Sequence, residues 1–161
     1  MVLFVCLTGH SESWDMLDHI VAVVNEEAIL LSELKSAMRD NERASQEEVL
    51  NTLVDRALLY NEAKKFRLKV STKDGNRIEE KNEIIREYID RRVKAFIYIP
   101  LNDIEQVYEM NRNRYKGLEF YEVRDSIDDE LVEVELEKKL KIHIEELRTK
   151  SSIRIQLRDD Y

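Results

Sequence analysis

Apolar residues along this chain change period several times, and each change marks an element. Ile20–Val24 and Ala28–Leu31 are two short runs rich in branched side chains, parted by the polar Asn25-Glu26-Glu27. Val and Ile are stiff at the first side-chain torsion and pack well on a pleated surface, so the pair reads as a β-hairpin. No glycine occupies the turn, which gives a tight two-residue connection only modest support. Ser32 follows at once, with an oxygen able to cap a helix from Glu33 to about Asp40 that carries Leu34, Ala37 and Met38 on one face. After a polar break, Ser45 and Glu48 have the spacing of a capping box. Leu50, Leu53, Val54, Ala57, Leu58, Ala63 and Phe66 then recur at three- and four-residue steps. That stripe is wide, so this helix is expected to be buried on more than one side.

The next helix is expected to begin near Ser71 or Thr72, with Gly75 blurring its first turn. It carries Ile78, Ile85, Tyr88, Ile89, Val93, Phe96 and Ile97 on one face. Arg86, Arg91, Arg92 and Lys94 lie opposite and read as a solvated face. Pro100 should end this helix, because it lacks an amide donor and restricts Ile99. Asn102 can cap a short helix with Ile104, Val107 and Tyr108 on one side, finished by Asn111–Tyr115. After Lys116-Gly117, a long helix from about Tyr121 to Arg148 carries Val123, Ile127, Leu131, Val134, Leu136, Leu140, Ile144 and Leu147. Its acids come early and its bases late, as the helix dipole favours, and Glu135→Lys139 and Glu137→Lys141 add i,i+4 support. Ser151-Ser152 breaks it, and Ile153–Leu157 alternates as a half-buried strand does. An isolated hairpin is marginal in water, so this last strand is expected to pair with the first two. The fold class is therefore mainly α, with a small β-sheet made by an N-terminal hairpin and a C-terminal strand.

Composition narrows the field. At 161 residues, with 37% charged positions, three glycines and one proline, the chain suits one domain, or two small lobes sharing a core, built from long helices. A net charge of −8 argues against nucleic-acid binding, which needs clustered Lys and Arg. No apolar run approaches the roughly 20 residues of a membrane span, so stable membrane insertion is not expected. Met1–Leu7 looks like the tail of a secretory hydrophobic segment, but a basic flank and a small-x-small cleavage site are missing. Residues 1–17 are read as a residual leader or flexible N-terminus whose signal peptide is incomplete, the alternative being a buried N-terminal strand. Cys6 is the one cysteine, and the lack of thiols after it fits an oxidising compartment without demonstrating it.

Catalytic chemistry is hard to assemble from these residues. His10, His19 and His143 form no metal-ligand spacing, and Gly9, Gly75 and Gly117 are too scattered for a phosphate loop. The carboxylate clusters Asp128-Asp129-Glu130 and Asp159-Asp160 lack the surrounding spacing of a calcium loop. The expectation is a non-enzyme with no cofactor and no metal.

The order strand, turn, strand, capped helix resembles the opening of the SurA/PrsA/trigger-factor-like foldases, on Val21-Ala22-Val23-Val24-Asn25, Ile29 and Ser32-Glu33-Leu34. The likeness extends to Arg91–Phe96 and to Pro100–Tyr108, where Ile104, Tyr108 and Asn111 stand in matching places and Val107 replaces a tyrosine. It continues through Val123–Leu140, Leu147-Arg148 and Ile153–Ile155. A parvulin isomerase domain usually sits between the two blocks, but only residues 114–120 do so here. The resemblance thus implies a SurA N-terminal-like chaperone domain over residues 18–161, with both ends in one lobe and no prolyl isomerase. It further implies an ATP-independent periplasmic holdase for unfolded polypeptides, outer-membrane precursors among them. The alternative is a non-catalytic interaction or assembly protein on the same fold with one dedicated partner. Tyr88, Phe96, Tyr98, Tyr108, Phe120 and Tyr121 are the candidate peptide-binding residues, although a core role is the commoner use of each. Short hinges such as Lys116-Gly117 would permit a domain-swapped homodimer.

Overall fold

The computed structural model describes residues 18–68, 70 and 77–157. Strands β1 (Ile20–Val24) and β2 (Glu27–Leu30) form an antiparallel hairpin, and β3 (Ile153–Ile155) pairs antiparallel with β1 on its other side. The sheet order β2-β1-β3 brings the two ends of the described chain into one structure. Five helices lie between: α1 (Leu31–Asp40), α2 (Gln46–Lys64), α3 (Arg77–Arg92), α4 (Leu101–Met110) and α5 (Phe120–Lys150). A 3-10 turn over Lys94–Phe96 follows α3.

The hairpin turns on Asn25-Glu26, and it does so without glycine because Asn25 takes a positive φ of 55°. Asparagine tolerates this left-handed conformation better than other side chains, since its short amide can bond locally. Here the amide also reaches across the sheet. Asn25 N–H donates to Ser152 O at 2.8 Å, and its Oδ1 accepts from Ser152 N–H at 2.9 Å. One residue therefore makes the turn and anchors the returning strand.

Several boundaries differ from the sequence expectation. Strand β2 ends at Leu30, and α1 begins directly at Leu31 rather than Glu33. Ser32 is not the cap: it lies inside the first turn, where its N–H and hydroxyl both donate to the Asp18 carboxylate. Asp18 supplies the acceptor, and this bonding holds its carboxyl below the usual carboxylate range. Glu33 accepts from Leu30 N–H at 3.0 Å. In α2 the expected capping box is present, with Ser45 N–H donating to Glu48 at 2.8 Å and Glu48 N–H to Ser45 Oγ at 3.2 Å. Helix α2 is buried on several sides, at Val49, Leu50, Val54, Ala57, Leu58, Leu59 and Ala63.

The expected start of α3 at Ser71 or Thr72 lies outside the described residues. Its end is a correction, since the helix stops at Arg92, well before Pro100. Ile97-Tyr98-Ile99 are β-branched or aromatic and favour extended backbone; Ile97 has φ −85° and ψ 128°. Pro100, not Asn102, stands at the N-cap of α4 with φ −61° and ψ 140°. Helix α4 ends at Met110, and residues 111–117 form turns that close at Gly117 with φ 87°. Helix α5 runs slightly beyond its expected bounds at both ends.

Two apolar cores result. The main core gathers Val21, Ala22, Val24, Ile29, Leu34, seven residues of α2, Ile85, Tyr88 and Leu147, with Ile144, Ile153 and Leu157 packed against it. The second is smaller, formed by Ile104, Tyr108, Tyr115, Val123 and Ile127. Helix α5 belongs to both, its first turns in the second core and its last in the main one. Ile127 and Leu147 lie about 30 Å apart along it, at 1.5 Å per residue. The clamp at the main-core end is polar: Arg148 Nε donates to Asp55 of α2 at 2.7 Å. Burial nevertheless raises the Asp55 carboxyl above its ordinary range, outweighing the neighbouring guanidinium.

Candidate functional site

The six aromatic residues singled out from the sequence separate into two groups. Tyr88 and Tyr108 are core residues, 4% and 7% exposed. Tyr88 joins α3 to α5 through a 2.8 Å hydrogen bond between its hydroxyl and His143 Nε2, and packs on Phe66 with ring centroids 5.4 Å apart. Burial, helped by the nearby Glu62, raises its phenol above the ordinary range. Tyr108 donates its hydroxyl to Leu118 O at 2.9 Å, and its ring meets Tyr115 at 5.8 Å and Phe120 at 5.5 Å. Phe120, the first residue of α5, is half-buried against the same core. Tyr88 thus serves the main core, and Tyr108 and Phe120 serve the second.

Phe96, Tyr98 and Tyr121 are different. They are 72%, 81% and 77% exposed, although large aromatic rings are worth on the order of 1.5–3 kcal/mol when fully buried. Phe96 leaves the α3 stripe because that helix has already ended. Sequence reasoning missed three companions: Leu101, Met110 and Leu118 are also exposed. Met110 could have been found, since it lies nine residues past Leu101 and so on the far side of α4 from it, off the Ile104/Tyr108 stripe. Twelve large apolar side chains are exposed among the described residues, and half of them fall within residues 96–121. The uncovered apolar side chains are thus denser in the stretch of chain from the 3-10 turn through α4 to the start of α5 than elsewhere among the described residues.

The same stretch carries charge. Arg112 pairs with Glu109 and lies over the Tyr108 ring at 5.1 Å, while Arg114 makes a two-pronged contact with Glu130. The basic group on α3 is paired as well: Arg86 with Glu83, Arg91 with Glu87 and Lys94 with Glu133 of α5, and Arg92 stacks over Phe66 at 4.3 Å. Exposed pairs of this kind contribute about 0–1 kcal/mol each. They add charge to the surface more than they stabilise the fold.

A groove of about 170 Å³ opens between β2, α1, α2 and α3, with Ile29, Ala37, Leu53, Ala57 and Ile85 beneath and Glu27, Glu33, Asp40, Arg56 and Lys81 around it. Glu27 is bonded by Lys81, and the Lys64 and Lys81 ammonium groups lie 4.8 and 5.2 Å from the Tyr60 ring centre. The space equals five or six waters at ~30 Å³ each, and falls below the roughly 300–1,000 Å³ of small-molecule pockets. It can receive a single apolar side chain.

Among the described residues, no three His, Cys, Asp or Glu side chains are placed to share a metal ion, and no helix is long and apolar enough to cross a membrane. No family model matches the chain, and no curated protein matches it. The likeness to SurA/PrsA chaperones rests on the motif residues alone.

Proposed function

We propose that this protein is an ATP-independent holdase that binds non-native polypeptides, acts without catalysis, and works in a bacterial periplasm, with outer-membrane precursors among its clients. The observation that carries the reading is the set of uncovered apolar side chains between Phe96 and Tyr121. Exposed apolar patches rimmed by polar groups are the signature of a protein-interaction surface. Unfolded chains expose apolar side chains in no fixed arrangement, so a receptor for them needs distributed apolar contacts rather than one deep pocket. A net charge of −8 supports solubility while such surface stays open. The compartment and client class come from the resemblance of the opening and α4 motifs.

The test is suppression of aggregation. A chemically denatured client diluted into buffer without nucleotide should scatter less light as the protein approaches stoichiometric amounts. Unchanged scattering at a clear molar excess would remove the basis for the proposal.

A further inference from the structure

Among the described residues, the small sheet has one edge that runs into a helix and one open edge. The outer side of β2 runs directly into α1, and the N–H of Leu30 is already taken by Glu33. On the other side, the β1–β3 register pairs Val24 with Ile153, Val23 with Arg154 and Ala22 with Ile155. Hydrogen bonds from Asn25 N–H to Ser152 O and from Gln156 N–H to Val21 O fix the parity of this ladder. Residues 152, 154 and 156 therefore bond inward to β1, and the N–H and C=O groups of Ile153 and Ile155 point away from it. A row of unpaired donors and acceptors at a sheet edge is a template for another extended chain.

We infer that the open edge of β3 takes up an extended segment of non-native polypeptide as a fourth strand, an inference that rests on the holding role proposed above. The side chains state which segment. Ile155 is 55% exposed and shares a sheet face with Ile153 and Leu157, both packed against the main core. An added strand with apolar residues on that face extends the core's apolar layer over Ile155. Arg154 and Gln156 are exposed on the opposite face, and Arg154 has no ion pair among the described residues. The complementary segment alternates apolar with acidic residues. Such pairing uses main-chain groups that every sequence possesses, which suits a receptor of many clients. With three residues in β3, it is weak and reversible.

The direct probe is a short fluorescent peptide alternating valine and glutamate, with an N-methylated version that cannot pair at one edge. Ile155→Pro deletes one outward N–H and no bond to β1, so the sheet should survive; an unchanged melting transition checks this. Arg154→Glu is the second variant, with its backbone donors intact. The expected result is binding of the plain peptide and not the methylated one, with about tenfold loss in each variant, about 1.4 kcal/mol. Arg154→Glu should also reverse the preference toward a valine/lysine peptide. Equal binding to folded Ile155→Pro and wild-type protein would overturn the inference, as would a wild-type dimer that Ile155→Pro converts to monomer, since a second copy would then own the edge. Peptide binding without aggregation suppression would leave the edge standing and the holding role refuted. Aggregation suppression by wild-type protein that binds neither peptide would do the reverse.

Discussion

Asn25 concentrates more of the fold than any other polar residue described. It adopts a left-handed turn conformation, and its main chain and side chain both bond Ser152, 127 positions later in the sequence. Asn25→Ala should cost about 2–3 kcal/mol, since non-glycine left-handed backbone costs roughly 1–2 and a lost hydrogen bond about 1. Asn25→Gly keeps the conformation and should recover part of that loss. Chemical denaturation of both variants separates the two contributions, and equal midpoints for Ala and Gly would show that the turn conformation contributes nothing. Glu48 makes a pH-dependent contribution. Hydrogen bonds from the Ser45 backbone and side chain lower its carboxyl below the ordinary glutamate range. A lowered folded-state pKa gives stability that is present above the unfolded value and lost as pH falls through the folded one. Glu48→Gln can still accept from Ser45 but cannot titrate, so its melting temperature should fall less steeply on acidification than the wild type's. At this scale the sequence was legible where the signal was local: the Ser45/Glu48 box was readable from four adjacent positions. Asp18 capping α1 in place of Ser32 was not, because that bond spans 14 positions and depends on how the chain enters the sheet.

At the level of elements, the apolar periodicity located every helix and all three strands, and the pairing of the C-terminal strand with the hairpin is present in the sheet. The boundaries depended on competition that periodicity does not record. The α3 stripe continues in sequence to Ile97, yet the helix stops at Arg92, a 3-10 turn over Lys94–Phe96 follows, and extended backbone begins only at Ile97. That one difference moves Phe96 from a buried stripe to the surface. The split of the candidate aromatics was equally hidden: Tyr88 and Tyr121 look alike in sequence, but α3 aims one at His143 of α5 while the other sits on the unpacked side of α5's first turn. The strand β3 provides the structural check. Deleting residues 152–161 removes Ile153 and Leu157 from the main core and the Ser152 partner of Asn25. A loss of about 2–5 kcal/mol is expected; a truncated protein with an unchanged urea midpoint would contradict the closing role of this strand.

The whole molecule is a large core and a small one strung on a single 31-residue helix. The second core has five buried residues, and Tyr115 buries its hydroxyl there with no partner among the described residues, an arrangement that costs about 1–3 kcal/mol where nothing else satisfies the group. The lobe is therefore the weaker part of the fold, and the stretch of chain that runs through it is also where uncovered apolar side chains are densest among the described residues. A client-holding role links those two facts, because the less the lobe spends its apolar residues on itself, the more it can offer to another chain. The most direct test compares wild-type protein with a variant carrying Phe96→Ser, Tyr98→Ser and Tyr121→Ser in the aggregation assay without nucleotide. All three side chains are exposed, so at up to about 0.5 kcal/mol per substitution the variant should stay within about 1.5 kcal/mol of the wild type's stability. The account predicts that wild-type protein suppresses client aggregation near stoichiometry and that the folded triple variant loses most of this capacity. Equal suppression by the two proteins would contradict the assignment of client holding to this surface.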